Sequence, residues 1–346
     1  MKKDNPFTLT FGIEPSEYIA RYENTETIIS TFMADHPVSQ TYMIEGVRGT
    51  GKTVMMTRIT KEIKDDTNWI VVDLNSTKDL IEEFAIRLAD ACKKKKGILP
   101  AGFSISIAGF GVGVSGTPAS SNYINQIEDM LTSIQKKKKR VLITIDEVQH
   151  DENMREFASE FQMLIRKDYP LFLLMTGLYE QINAIQNDSA LTFLLRTPKI
   201  CLEPLSIFQI AKLYESVFSI DSETSKSLAN ITKGYAFAFQ ALGMLYYEHR
   251  ETESMENILT MLDGMLDDYV YRKIWNSLSG VEKRIMKAIG DSEIKVADVL
   301  AYAEIDSSSF SRYRDNLIKK GMILSPKHGY VSIALPRFYS IVSFYE

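Results

Sequence analysis

An open α/β sheet followed by a helical region and a small mixed one is the fold class this chain predicts. Three observations carry it. Short apolar runs alternate with amphipathic helical stretches between Thr41 and Cys201, and the texture turns wholly helical after Glu203-Pro204. From Trp275 three short helical stripes are followed by two extended runs. Runs apolar on both faces suit parallel strands buried between helices, and their alternation with helices argues for a parallel sheet.

The candidate strands are Tyr42-Met43-Ile44, Trp69-Ile70-Val71-Val72, Val141-Leu142-Ile143-Thr144-Ile145, Leu171-Phe172-Leu173-Leu174-Met175 and Lys199-Ile200-Cys201-Leu202. Ligands of such sheets sit beyond the carboxyl ends of the strands. Phe103 to Val114, FSISIAGFGVGV, alternates with a phase shift at Ala108-Gly109 and reads as an inserted β-hairpin. It either packs on its own domain or a neighbouring subunit, or reaches a partner. The lysine runs Lys93–Lys96 and Lys136–Lys139 are solvated helix ends or phosphate contacts.

In the helical region Ser206 with Gln209 suggests a capping box, and Tyr235–His249 and Met255–Tyr271 carry helical periodicity. Ser279 with Glu282 suggests a second box, opening a helix striped by Val281, Ile285 and Ile289. Val296, Val299 and Leu300 mark the next helix. Phe310, Tyr313 and Leu317 mark a third, ended by Gly321. Met322-Ile323-Leu324 and Tyr330-Val331-Ser332-Ile333 flank a hairpin tip at Lys327-His328-Gly329. Three helices and a hairpin make a winged helix-turn-helix. The expected domains are therefore 1–203, an α/β core; 204–274, a helical lid; and 275–346, a winged helix.

A chain of 346 residues, 45% hydrophobic and 25% charged, has the make-up of a globular protein of two or three domains. No run approaches the roughly 18–20 apolar residues of a membrane span. The start, MKKDNPFTLT, lacks the apolar core of a secretion signal. Cys92 and Cys201 are far apart, without metal-ligand spacing, as suits a reducing compartment. A cytoplasmic location is the expectation. Net charge is −5, but from Trp275 onward ten Lys/Arg face eight Asp/Glu, leaving about −7 on the rest. That permits a nucleic-acid role for the last domain without requiring one.

The most specific signal is Gly46-Val47-Arg48-Gly49-Thr50-Gly51-Lys52-Thr53, which fits G-x-x-x-x-G-K-[ST] at every fixed position, between an apolar strand and a helical stretch from Val54. In this pattern glycines let successive N–H groups turn inward around phosphates, and the helix start adds its positive dipole end. Lys52 then reaches the β- and γ-phosphates of ATP and the Thr53 hydroxyl ligates Mg²⁺. The third strand runs into Asp146-Glu147. A carboxylate closing a buried strand needs a cation, so Asp146 is expected to hold the metal directly or through water, and Glu147 to deprotonate the attacking water. Thr176, at the end of the fourth strand, would lie beside the γ-phosphate and hold that water. Arg196, just before the fifth strand, would stabilise charge on the γ-phosphoryl of its own site or a neighbour's. No acceptor pocket for a small-molecule kinase is evident.

In this order, the elements resemble the AAA+ ATPases, and within them the branch of origin-recognition initiators and related ATPases with C-terminal winged helices. The resemblance covers nearly the whole chain. It implies strand order 5-1-4-3-2 for the sheet. It also implies that the stretch Asn5-Pro6-Phe7 through Gly12, Pro15 and Tyr18-Ile19-Ala20-Arg21 closes over adenine, with Ile19 lining the base pocket. One departure stands out. Gly234-Tyr235-Ala236-Phe237-Ala238-Phe239-Gln240, where the family commonly places a γ-phosphate-sensing arginine, has none. In this the chain looks more like the signal-transduction ATPases with numerous domains, which act as slow switches.

On the third C-terminal helix the face opposite Phe310, Tyr313 and Leu317 carries Ser308, Arg312, Asp315 and Lys319, with Ser311 and Asn316 beside it. Such residues on a recognition helix reach bases and phosphates of double-stranded DNA, and Lys327 and His328 on the wing would touch a phosphate or the minor groove. The expected function is an ATPase that couples nucleotide state to DNA binding or remodelling, with nucleotide binding building an interface to a second copy. The alternative is a slow ATP switch whose winged helix recruits a protein.

Overall fold

The computed structural model describes residues 4–10, 12, 15–95, 98 and 120–345. The Phe103–Val114 hairpin expectation falls outside them. The chain divides into two units, Arg21–Glu45 with Lys52–Cys201, and Met1–Ala20 with Gly46–Gly51 and Leu202–Glu346.

The first unit is built on five parallel strands: β1 (Thr41–Glu45), β2 (Trp69–Asn75), β3 (Arg140–Asp146), β4 (Leu171–Gly177) and β5 (Lys199–Cys201). Their order is β2-β3-β4-β1-β5, the order the family resemblance implied, read from the other edge. β1 and β4 are buried along their whole length, and β3 from Val141 to Ile145. These strands lack polar alternation because neither face meets water. β5, at one edge, differs: Lys199 and Cys201 are exposed. Register brings the ends of neighbouring strands level, pairing Glu45 with Gly177 and Asn75 with Asp146. The helices are α1 (Tyr22–Met33), α2 (Lys52–Asp65), α3 (Leu80–Lys94), α4 (Ser120–Lys136), α5 (Glu152–Arg166) and α6 (Tyr179–Gln186). Asp79 and Asp151 cap α3 and α5 by accepting from Glu82 and Met154 N–H groups. Phe84, Leu88, Met130, Phe157 and Phe161 pack with the strands as one core.

The second unit holds α7 (Ile207–Phe218), α8 (Ser222–Ile231), α9 (Ala236–His249), α10 (Met255–Leu266), a π-helical turn (Asp267–Tyr271) and α11 (Arg272–Ser277). Ser206 accepts from the Gln209 N–H at 3.4 Å, half of the expected box. The N-terminal stretch belongs here. The Phe7 ring lies edge-on to Tyr214 and Phe239, with centroids 5.8 Å away in each case. A side chain at Gly243 would place Cβ 2.5 Å from that ring, so only glycine admits it. Gln240 accepts from the Thr8 N–H and donates to Glu17 O.

The remaining elements are α12 (Gly280–Ile289), β6 (Ile294–Lys295), α13 (Val296–Ala303), α14 (Ser307–Lys319), β7 (Ile323–Leu324), β8 (Tyr330–Ile333) and α15 (Phe338–Val342). The sheet is antiparallel in order β6-β8-β7. β6 is two residues long, too short for periodicity to show. Among the described residues no helix is long and apolar enough to cross a membrane.

The capping box at Ser279 and Glu282 is complete. Glu282 also takes Lys320 Nζ at 2.8 Å and Asn316 Nδ2 at 3.2 Å, with the two charged side chains only 5% and 11% exposed. Burial alone would raise the Glu282 carboxyl; the bonds from Lys320 and Ser279 outweigh it and hold it below its usual range. A carboxylate depressed in the fold contributes stability above its unfolded value, roughly 4.3, and loses it as pH falls through the lower folded value. Lys320→Met strands the buried charge and is expected to cost about 3–5 kcal/mol at neutral pH in urea denaturation. In that variant the carboxyl rises instead, so the deficit should shrink on acidification toward the carboxylate range. A deficit independent of pH would show that charge pairing is not what Lys320 contributes.

Candidate nucleotide site

β1 delivers the chain into the glycine-rich loop, and α2 begins at Lys52. Gly49 and Gly51 have φ of 81° and 91°, a region nearly closed to residues with a Cβ. Gly49 is fixed by contact as well: a Cβ there would lie 2.2 Å from the Tyr235 hydroxyl. Thr50 Oγ1 donates to Val47 O at 2.8 Å, bracing the loop across its turn. Val54 follows on the first turn of α2 and is half-buried, whereas Lys52 is 7% exposed.

At the strand ends, hydrogen bonds bring four of the expected site residues together. Thr53 Oγ1 donates to Asp146 Oδ2 at 2.8 Å. The other carboxylate oxygen, Oδ1, accepts from the Thr176 hydroxyl and from the Glu147 N–H at 3.1 Å. That N–H also faces Thr176 Oγ1 at 3.2 Å, and the Val148 N–H donates to Thr176 O at 2.9 Å. Thr176 is fully buried. The sequence reading gave its hydroxyl to an attacking water; in the fold the hydroxyl is spent on Asp146 and the Glu147 backbone. Glu147 is exposed and sits at φ 52°, a left-handed conformation that costs a non-glycine residue of order 1 kcal/mol or more. The result is a rigid carboxylate at Asp146 and an exposed one at Glu147.

Two arrangements escaped sequence reading. Asp188 accepts from Arg155 Nε at 2.7 Å and pairs with His150 Nε2 at 2.8 Å, tying the chain just after Glu147 to α5 and to the end of α6. The Ala190 backbone N–H, then Arg155 and His150, hold the Asp188 carboxyl well below its usual range. The second is a pair of bonds from the lid to the loop: Tyr235 Oη donates to Arg48 O at 2.5 Å, and the Phe237 N–H to Gly49 O at 3.1 Å. Gly234, just before Tyr235, sits at φ 75°.

The remaining expected residues are scattered. Arg196 ends a short 3-10 turn, exposed, and its side chain makes no hydrogen bond or ion pair among the described residues. Ile19 is 7% exposed in the core of the second unit. On α14, Ser308 Oγ is bonded to Asp306 and Ser311 Oγ to Ser307 O. Arg312 and Lys319 are exposed and enter no ion pair among the described residues. Lys327, expected on DNA, pairs with Glu293 at 2.6 Å and lies 4.0 Å over the Tyr330 ring.

The loop and its chemistry fit a triphosphate and a hard cation: a glycine cradle that side chains would fill, a lysine at a helix start, and a hydroxyl beside a carboxylate. These features define a P-loop nucleotide-binding protein. Residues 39–185 match the family model described as an AAA domain. Residues 268–340 match a model described only as a domain of unknown function. Comparison with curated protein sequences gave no match. Among solved structures the chain is similar to a Walker-type ATPase of Pyrococcus abyssi, at 12% identity and TM-score 0.66, over 94% of this chain and 96% of that one. It is similar to the ORC2 protein of Aeropyrum pernix in its ADPNP-ADP complexes, at 13% identity and TM-score 0.63, over 96% of each chain. Cdc6p from Pyrobaculum aerophilum gives 14% identity and TM-score 0.50, also over 96% of each. At such identities the likeness is one of fold.

Proposed function

We propose that the chain binds Mg-ATP through Gly46–Thr53 and Asp146, hydrolyses it with Glu147 as general base, and uses nucleotide state to set the action of its winged helix. In this reading residues 204–274 act as lid and 275–346 as effector. One observation supports the catalytic half most directly. Asp146 is held from both sides by Thr53 and Thr176, while Glu147 is turned outward at a strained φ. Thr53 and Asp146 would hold the magnesium, which neutralises phosphate charge when bound. Thr176 is a positioning residue for both carboxylates. The exposed Arg196 is available to a phosphoryl group or to a second copy.

For the effector, the leading reading is duplex DNA against the Arg312 and Lys319 face of α14. With Lys327 paired to Glu293, the footprint is small, and binding should fall with salt along the shallow slope of about two phosphate contacts. The double change Arg312→Glu, Lys319→Glu should lower the affinity for a labelled duplex at low salt at least tenfold in fluorescence anisotropy. The second reading, recruitment of a protein, is favoured by exposed Tyr302, Ile318 and Leu324 on the same domain. Wild-type protein that shows no salt-dependent DNA binding would decide for it.

A further inference from the structure

We propose that Tyr235 makes the lid a reader of the phosphate loop's backbone, and that a buried path from Tyr235 through Tyr271 carries the state of that loop to the winged helix. The proposal rests on the nucleotide-binding reading above and names how that site is coupled.

The argument begins with the peptide planes of the loop. In a trans peptide the C=O and the following N–H point in opposite directions. A donor that fixes the carbonyl outward therefore fixes the next N–H inward, where phosphate oxygens would sit. Tyr235 Oη holds Arg48 O, which orients the Gly49 N–H; the Phe237 N–H holds Gly49 O, which orients the Thr50 N–H. Among the described residues the Thr50 N–H makes one long contact, of 3.4 Å to Val47 O, that a phosphate oxygen would replace. The segment that does this is the one lacking an arginine, so the lid touches the loop through backbone and phenol instead of through charge.

From Tyr235 the path continues inward. Its ring stacks on Tyr271 with centroids 6.3 Å apart and 28° between planes. Tyr271 Oη donates to Pro336 O at 2.6 Å, and its ring meets Phe338 edge-on at 4.9 Å. Between those two, Arg337 is held at φ 55° and pairs with Asp263 of α10, its Nη2 lying 2.5 Å from Oδ2. Lys233, two residues before Tyr235, donates to Ile333 O of β8 at 3.0 Å. Burial raises both phenols far above their usual range, so each remains a donor at any working pH. A change in the Arg48–Gly49 peptide on nucleotide binding must therefore move Tyr235 or break its bond. Close packing passes that displacement to Tyr271 and the 334–338 segment.

The test is hydrogen exchange by mass spectrometry on the full chain, with and without Mg-ADP and Mg-ATP. Wild type should show slowed exchange at 46–53 and altered exchange at 334–342. Tyr271→Phe should keep the first effect and lose the second. Tyr235→Phe should lose the second and bind nucleotide about three- to tenfold more weakly, the loss of one hydroxyl bond that pre-orders the loop. Loop protection without any change at 334–342 in wild type overturns the coupling and leaves nucleotide binding standing, as does a Tyr271→Phe protein that responds like wild type. Absence of protection at 46–53 in wild type removes the nucleotide-binding reading itself, and the coupling with it.

Discussion

Glu147→Gln is expected to leave ATP binding unchanged and to lower phosphate release by about 10²–10⁴-fold, the usual contribution of a positioned general base. The reasoning is geometric. The Glu147 N–H is engaged by Asp146 Oδ1 and Thr176 Oγ1, so the backbone that carries the side chain is fixed. Glu147 sits at a left-handed φ, and it is exposed where its neighbours Ile145 and Val148 are buried. Glutamine has the same length and tolerates the same backbone, so binding and folding should be indifferent to the change. It cannot accept a proton. Single-turnover phosphate release beside calorimetric titration with Mg-ATP separates the two steps. If release continued at the wild-type rate, the water would be activated by another group, and Glu147 would be left with a strained backbone that has no catalytic reason.

The same strand end shows which parts of such a site can be read from sequence. The glycine loop, Lys52 and the Asp146-Glu147 pair stand out in the sequence because the proposed chemistry would fix residue type and spacing within short stretches of chain. Strands β1, β3 and β4 were legible because burial on both faces leaves an uninterrupted apolar run, and the order of all five followed from family resemblance alone. Thr176 was read as holding an attacking water; in the fold its hydroxyl donates to Asp146. A strand-end hydroxyl is compatible with water or with a neighbouring carboxylate, and only the β3–β4 register, which brings the two strand ends side by side, separates them. His150, Asp188 and Arg155 meet across 38 residues of chain, and Tyr235 meets Arg48 across 187. Periodicity carries no information about such contacts. The wing illustrates the same limit. Lys327 was read as a DNA contact from its place in the sequence; its pairing with Glu293, adjacent through β6, is visible only in the fold.

Lys52→Ala should raise the dissociation constant for Mg-ATP by about 10²–10³-fold while leaving the ligand-free protein folded. A lysine in the first turn of a helix opposes the positive end of the helix dipole, and alanine is the better helix former there. Removing it therefore offsets part of whatever its buried side chain contributes to the fold. What it would supply to the nucleotide under the proposed function is different in kind: charge-assisted bonds to phosphate oxygens, each worth about 1.5–3 kcal/mol, of which two would account for the expected loss. Thermal melting discriminates the two effects. At a hundredfold excess of nucleotide over its dissociation constant, wild type gains about 2.7 kcal/mol and melts several degrees higher, whereas the variant at the same concentration should show almost no shift from an unliganded midpoint close to wild type. A variant whose ligand-free midpoint collapses would mean that Lys52 serves the fold. One that keeps the full nucleotide shift would mean that the triphosphate is gripped elsewhere, because no backbone cradle alone replaces a cation at the β- and γ-phosphates.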